Sequence, residues 1–261
     1  MHVSTTIPEW LERRAALEGR LIGVVPTMGA LHRGHAALVE RCRRENEVVT
    51  VTLFVNPAQF NDPADLQRYP RTMDADLALL AGLGTDEVFA PSAGELYPNG
   101  YALRVVNDSF AKEMEGRCRP GFFEAVMTVV LKLLNLIRAG RAYFGEKDYQ
   151  QWKVLHEMAL ELFLPTEIRL CPTIRAASGL AESSRNALLS PQGREQAAVI
   201  YRALTQAVSA AEARAELESA RLRVDYVEEH WGRRFAAAYL EGIRLIDNVP
   251  LENAKCSSAL T

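Results

Sequence analysis

Residues 21–35 read LIGVVPTMGALHRGH, and the parsing of this stretch decides the fold. Leu21 to Val25 is a short apolar run rich in β-branched side chains, and Pro26 ends it. A glycine-bearing turn follows, and residues 36–46 (AALVERCRREN) then return apolar side chains at helical spacing. Strand, turn and helix in that order form the repeating unit of an α/β sheet. Outward from this unit, residues 48–55 (VVTVTLFV) are almost continuously apolar, as expected of a strand covered on both faces. The alternation continues with a helix over Met73–Leu83, a strand at 87–91, a helix over Ala125–Ile137 and a strand at 141–145. A helix at 148–162 and a strand at 166–172 complete it. Right-handed βαβ units in this order predict a Rossmann-like, doubly wound parallel sheet.

Residues 174–191 (IRAASGLAESSRNALLSP) are small and polar and break the alternation, which marks a junction. Beyond them the pattern predicts one long helix from about Gln192 to Glu218, then strands at 224–229 and 235–249. The expected organisation is a domain over 1–174 and a smaller C-terminal α+β lid domain over 175–261.

Composition narrows the function. With 48% hydrophobic residues in 261, the chain can bury a large core, and a formal charge of −3 excludes the basic surface of a nucleic-acid binder. No apolar run approaches the ~18 residues of a membrane span, and the N-terminal MHVSTTIPEWLERR does not read as a signal peptide. Cys42, Cys118, Cys171 and Cys256 are widely spaced, without a CxxC pair, and read as reduced thiols of a cytoplasmic protein.

The chemistry concentrates at strand ends. In open α/β sheets ligands bind there, and a helix N-terminus favours phosphate. His32 and His35, three residues apart around Gly34, can donate hydrogen bonds to the same phosphates, and Gly34 permits close approach. An HxxH pair could also be a metal pair or two ordinary surface residues, and zinc would need a third ligand. The strand and glycines before it favour phosphate. Asn56 and Gln59, in FVNPAQF (54–60), follow a buried strand, and their amides suit a hydroxy-acid substrate, although Asn-Pro also begins ordinary turns. FGEKDYQQ (144–151) brings Gly145, Lys147 and Asp148 to a second strand end: a mobile cation for phosphate and a carboxylate for a ribose hydroxyl. Ser183, Ser184 and Arg185 combine two hydroxyls with a guanidinium, donors matched to a triphosphate.

HRGH (32–35) resembles the HxGH signature of the nucleotidylyltransferase superfamily. The longer string PTMGALHRGHAALV (26–39), with FVNPAQF, YPRT (69–72), FGEKDYQQ and SSRN (183–186), is similar to the pantoate–β-alanine ligase family over residues 20–190. The resemblance implies an ATP-dependent, adenylate-forming ligase that joins pantoate to β-alanine in a homodimer, with ATP and Mg²⁺ required. It assigns His32, His35 and Lys147 to catalysis. ATP binding falls to Met28, Gly29, His32, Gly34, His35, Gly145, Lys147, Asp148, Ile174, Ser183, Ser184 and Arg185. Pantoate falls to Pro26, Met28, Asn56, Gln59, Phe60, Val126, Val129, Val130 and Gln151, with Asp76 at a magnesium-binding position. By resemblance, Ser183–Arg185 is the counterpart of the superfamily's KMSKS-type loop.

Four residues at three places depart from the family pattern. Gly121-Phe122-Phe123 stands where GHF is usual, so Phe122 replaces an imidazole; Glu182 replaces the methionine or leucine before SSR; and Ala176 and Ser178 replace acidic residues. These changes keep open a paralogue that passes pantoate, or a similar hydroxy acid, to another amine. A weakly catalytic ligand-binding protein is the third reading.

Overall fold

The computed structural model describes residues 1–251, so Cys256 lies outside the described residues. The chain divides into two compact units between Pro172 and Thr173. The first unit runs β1 (His2–Ser4), α1 (Ile7–Ala15), β2 (Ile22–Thr27), α2 (Arg33–Glu45), β3 (Val48–Leu53), α3 (Pro63–Arg68), α4 (Met73–Gly82) and β4 (Glu87–Phe89). It continues through α5 (Ala93–Leu96), α6 (Met114–Cys118), α7 (Phe122–Ile137), β5 (Arg141–Gly145), α8 (Tyr149–Glu161) and β6 (Glu167–Cys171).

Its six strands lie in the order β1-β4-β3-β2-β5-β6, and every pairing is parallel. From β2 the chain winds one way through β3 and β4, then returns to the other side of β2 for β5 and β6. That reversal places a topological switch point between β2 and β5. Side chains alternate across the sheet as period two requires. Val24, Val48, Ala142 and Phe144 join one core with α1, α7 and α8, while Val25, Val49, Val51 and Tyr143 join another with α2 and α4. The sheet is therefore covered on both faces, as the apolar run at 48–55 requires.

The strand β1 and helix α1 were not read from the sequence, yet their signal is present. Thr6 and Glu9 form a reciprocal capping box, with Pro8 in the first turn. Helix α7 begins at Phe122, three residues before the expected start, behind a left-handed Gly121.

The second unit contains α9 (Pro191–Ala197), α10 (Val199–Gln206), α11 (Ala210–Ser219) and strands β7 (Arg223–His230), β8 (Arg233–Leu240) and β9 (Ile243–Pro250). The single helix expected over 192–218 is thus three. Ala207 ends α10 with an extended backbone, and Ser209 and Glu212 cap a new helix: Ser209 Oγ accepts from the Glu212 N–H and Glu212 Oε2 from the Val208 N–H. The strands form an antiparallel β7-β8-β9 meander. Its two-residue turns, Trp231-Gly232 and Glu241-Gly242, have positive φ at both positions, which the right-handed twist of a hairpin favours.

Candidate active site

In the first unit, the C-terminal ends of β2, β3 and β5 are adjacent, and each leads into a segment marked out in the sequence. Pro26 and Thr27 close β2 and pair with Thr52 and Leu53 of β3. The loop that follows is left-handed at two successive residues, Gly29 (φ +76°) and Ala30 (φ +50°), so the chain turns sharply before α2.

His32 is the N-cap of α2. Its Nδ1 accepts from the Gly34 N–H at 3.1 Å, and His35 Nδ1 accepts from the His32 N–H at 3.4 Å. A main-chain N–H can only donate, so each Nδ1 must carry a lone pair and each neutral ring must carry its proton on Nε2. Neither Nε2 has a hydrogen-bond partner among the described residues. The ring centroids are 4.1 Å apart. Burial, then the charge of Lys147, lowers the His32 pKa to about 4. Burial, His32 and Lys147 together lower that of His35 to about 3. At neutral pH both rings are uncharged N–H donors beside an ammonium. The charge of Lys147 acts on both rings, and that of Asp148 on His32.

The main-chain amides behave differently from the expectation of free N–H groups at the helix start. Gly29 N–H donates to Thr27 Oγ1, Ala30 and Leu31 N–H donate to Asp76, and Gly34 N–H is taken by His32. The loop satisfies itself, leaving the imidazole edges as donors.

Burial and partners also separate the amide side chains. Asn56 is fully buried; its Oδ1 accepts from the Ala58 N–H and the Tyr97 hydroxyl, and its Nδ2 donates to Ala125 O. It braces the turn after β3. Gln150, likewise buried, accepts from Glu115 N–H and donates to Phe110 O and Glu113 O. Gln59 and Gln151, by contrast, have side-chain amides with no hydrogen-bond partner among the described residues. Phe60 packs edge-on against Tyr69, and Val126, Val129 and Val130 are buried on α7 in the core.

Lys147 lies on the short 3-10 turn Glu146–Asp148 after β5 and Gly145, with its Nζ 3.7 Å from Asp148 Oδ1. Asp76, the expected magnesium position, is buried on α4, and its two oxygens bind two main-chain N–H groups and the Thr72 hydroxyl. No group of three or more His, Cys, Asp or Glu side chains that could hold a metal occurs among the described residues. Both Asp76 oxygens are thus engaged by the protein's own donors.

Two contributors went unread in the sequence. Tyr97 orients Asn56. Arg119 donates to the Gln59 main-chain carbonyl at 2.8 Å and lies over the Phe122 ring, 3.7 Å from its centroid. Phe122 thus supports a cation that holds the turn bearing Gln59, a use for an aromatic ring at this position.

In the second unit, Ile174 O accepts from the Glu182 N–H, and Arg175 bridges to Ala181, so residues 174–182 form a small hairpin. Arg175 grips buried Asp247 through Nη1 at 2.5 Å and Nη2 at 2.9 Å, donates to Gly179 O and lies 4.0 Å above the Tyr201 ring. After the hairpin, Ser183 Oγ accepts from the Arg185 N–H and opens the 3-10 turn Ser184–Leu188. Ser183, Ser184 and Arg185 are half-buried.

Known proteins resemble the chain over nearly its whole length. The pantothenate synthetase of Legionella pneumophila (strain Lens) is 47% identical over 249 residues, covering 95% of this chain and 99% of the relative. That of Deinococcus radiodurans is 43% identical, covering 94% and 98%. A crystal structure of pantoate-beta-alanine ligase from Francisella tularensis, complexed with Beta-gamma ATP and Beta-alanine, superposes with a TM-score of 0.92 at 40% identity, covering 96% of this chain and 97% of that one. Pantothenate synthetase from Thermus thermophilus gives 0.89 at 42% identity, covering 96% and 99%. The pantoate-beta-alanine ligase pattern matches residues 2–250, well beyond the 20–190 evident from the motifs, and the chain belongs to that family.

Proposed function

We propose that this ligase makes pantothenate from pantoate, β-alanine and MgATP in two steps, and that the first unit holds the reacting groups. The observation that carries the residue assignment is the cluster of two neutral Nε2–H imidazoles and Lys147 at strand ends that also present two unpartnered amides, Gln59 and Gln151. A carboxylate does not acylate an amine at neutral pH; its oxygen must first become part of a leaving group. Pantoate carboxylate therefore attacks the α-phosphorus of ATP, the bond to the β-phosphate oxygen breaks, and pyrophosphate leaves. His32, His35 and Lys147 meet the charge that grows on the departing phosphates, and Gln59 and Gln151 hold pantoate in line. The β-alanine amine then attacks the acyl carbon of pantoyl adenylate, losing a proton as AMP departs.

The Francisella relative's ATP and β-alanine ligands support the co-substrates, and the overall identity supports β-alanine as the amine despite Phe122 and Glu182. Magnesium arrives as the cation of the nucleotide. The roles of Ile174, Ser183, Ser184 and Arg185 toward ATP, and of the second unit as a lid, rest on the family resemblance. So do homodimeric assembly and a cytoplasmic location; among the described residues no helix is long and apolar enough to cross a membrane.

The test is pantothenate and AMP formation by the purified protein, beside a no-amine control and an amine panel. Lys147→Ala should lower kcat by ~100- to 1,000-fold, the range for removing a transition-state donor. Pantoyl adenylate that never becomes pantothenate would transfer the function to another amine, and absence of any adenylate would sink the ligase assignment.

A further inference from the structure

The loop that presents the histidines has a geometry that its own sequence does not secure. Ala30 has no glycine freedom, yet it stands at φ +50°, directly after Gly29 at +76°. Ala30 carries a Cβ at positive φ outside any hairpin turn, a cost that surrounding contacts must offset. The external partner is Asp76, 46 residues further along the chain. Its Oδ2 accepts from the Ala30 N–H at 2.9 Å and its Oδ1 from the Leu31 N–H at 2.8 Å. Thr72 Oγ1 donates to Oδ2 at 3.1 Å, and Asp76 is only 4% exposed. A Cβ built on Gly29 would stand 3.1 Å from Oδ2, so the carboxylate is seated tightly under the turn. The very next N–H, that of His32, goes to His35 Nδ1. Consecutive amides therefore run from the carboxylate straight into the imidazole pair.

We propose that Asp76 is a positioning residue: its carboxylate fixes the turn Gly29–Leu31 and thereby the places at which His32 and His35 offer their Nε2–H groups to the nucleotide phosphates. The proposal rests on the phosphate-binding reading of those histidines. It assigns Asp76 to the main chain, where the family resemblance suggests magnesium. A bidentate carboxylate on adjacent amides needs both oxygens as acceptors. The isosteric carboxamide turns one of them into a donor facing an N–H, so Asp76→Asn tests the contact without emptying the site.

The experiment measures steady-state kinetics of Asp76→Asn against ATP, pantoate and free Mg²⁺, with ¹⁵N NMR of the histidine rings in the unliganded protein. Loop displacement predicts kcat/KM for ATP falling on the order of 100-fold, since a shift of about 1 Å in a positioned group has that effect. KM for pantoate should rise less than KM for ATP, because Gln59 and Gln151 lie on other segments and only Met28 adjoins this turn. The half-saturating Mg²⁺ concentration should not move, and the ring pKa values should rise toward the usual histidine value as the rings lose their burial. If Asp76→Asn does not fold, Thr72→Val removes one hydrogen bond to the same oxygen and should give the same pattern at about fivefold. A defect relieved by added Mg²⁺, or ring signals and ATP kinetics like those of the parent protein, would overturn the proposal. The NMR measurement requires no turnover, so it still decides the anchor if pantothenate is never formed.

Discussion

Two loops assigned to ATP, one in each unit, are each held by a buried carboxylate, and they are held differently. The histidine loop after β2 is gripped on its main-chain amides by Asp76, with no intermediary. The hairpin before Ser183 is gripped through a cation: Asp247 binds Arg175, and Arg175 reaches Gly179 O. In the first case the charge ends on neutral N–H groups and neutral imidazoles, so loss of the carboxylate displaces donors but strands no opposite charge. In the second, loss of the carboxylate leaves a guanidinium only 18% exposed without its main partner. The difference teaches that the first clamp serves geometry and that the second also carries stability.

The largest effect should therefore come from Asp247→Ala. Breaking a buried pair by removing one partner costs about 3–5 kcal/mol, and chemical denaturation should register a loss of that order. Asp76→Asn should lose clearly less stability and more activity. Replacing Arg175 and Asp247 together with Met and Leu should recover much of the loss, because no charge is then stranded. Equal destabilisation by Asp76→Asn and Asp247→Ala would erase the distinction.

Glycines sharpen the comparison at the next level of magnitude. Gly29 and Gly179 both have positive φ, at +76° and +90°. A Cβ at Gly179 would lie 2.5 Å from Tyr201 Cδ1, whereas at Gly29 the nearest atom is a carboxylate oxygen at 3.1 Å. Gly179→Ala should cost about 2–4 kcal/mol from combined strain and overpacking, and Gly29→Ala about 1–2 kcal/mol. Thermal melts of the two variants check the order. A reversed order would mean that the Tyr201 ring yields more readily than the Asp76 clamp.

How much of this was legible follows the range of the interactions. The β2 strand, its turn and α2 are written in local period, and so is the buried character of β3. The division of labour between Asn56 and Gln59, or between Gln150 and Gln151, is not, because it depends on whether Tyr97, Ala125, Glu115 and Phe110 come within hydrogen-bonding distance. Asp76 on a helix face reads as solvated or metal-bound until Ala30 and Leu31 are seen beneath it. The runs TIPE (6–9) and SAAE (209–212), by contrast, are capping-box patterns, local signals of α1 and of a break within the helix expected over 192–218. The residues proposed for catalysis could be named from motifs, but their neutral state could not. Burial, the reciprocal Nδ1 contacts and the charge of Lys147 together leave these histidines as uncharged donors.

That neutral state gives the smallest and most specific difference between the two loops. Histidine has an ordinary pKa near 6.5, and in the folded protein His32 is lowered to about 4 and His35 to about 3, first by burial and then by neighbouring charge. Between those values and 6.5 the unfolded chain binds more protons than the native one, so stability rises with pH through this window. The contribution is full above about pH 6.5, shrinks progressively as the pH falls below that value, and is gone below about 3. Stability should therefore be lower at pH 5 than at pH 7.5. Denaturation at pH 5 and pH 7.5 should show that loss in the parent protein and a smaller one in the His32→Asn, His35→Asn double variant. Residues 174–186 contain no histidine, so variants there should keep the parent's pH dependence over this window. Catalysis should follow the same logic. If neutral Nε2–H groups meet the phosphates, kcat/KM for ATP shows no histidine limb between pH 6 and 7, whereas a limb at the ordinary histidine value would mean that the rings act as cations and that the Nδ1 contacts do not set their protonation.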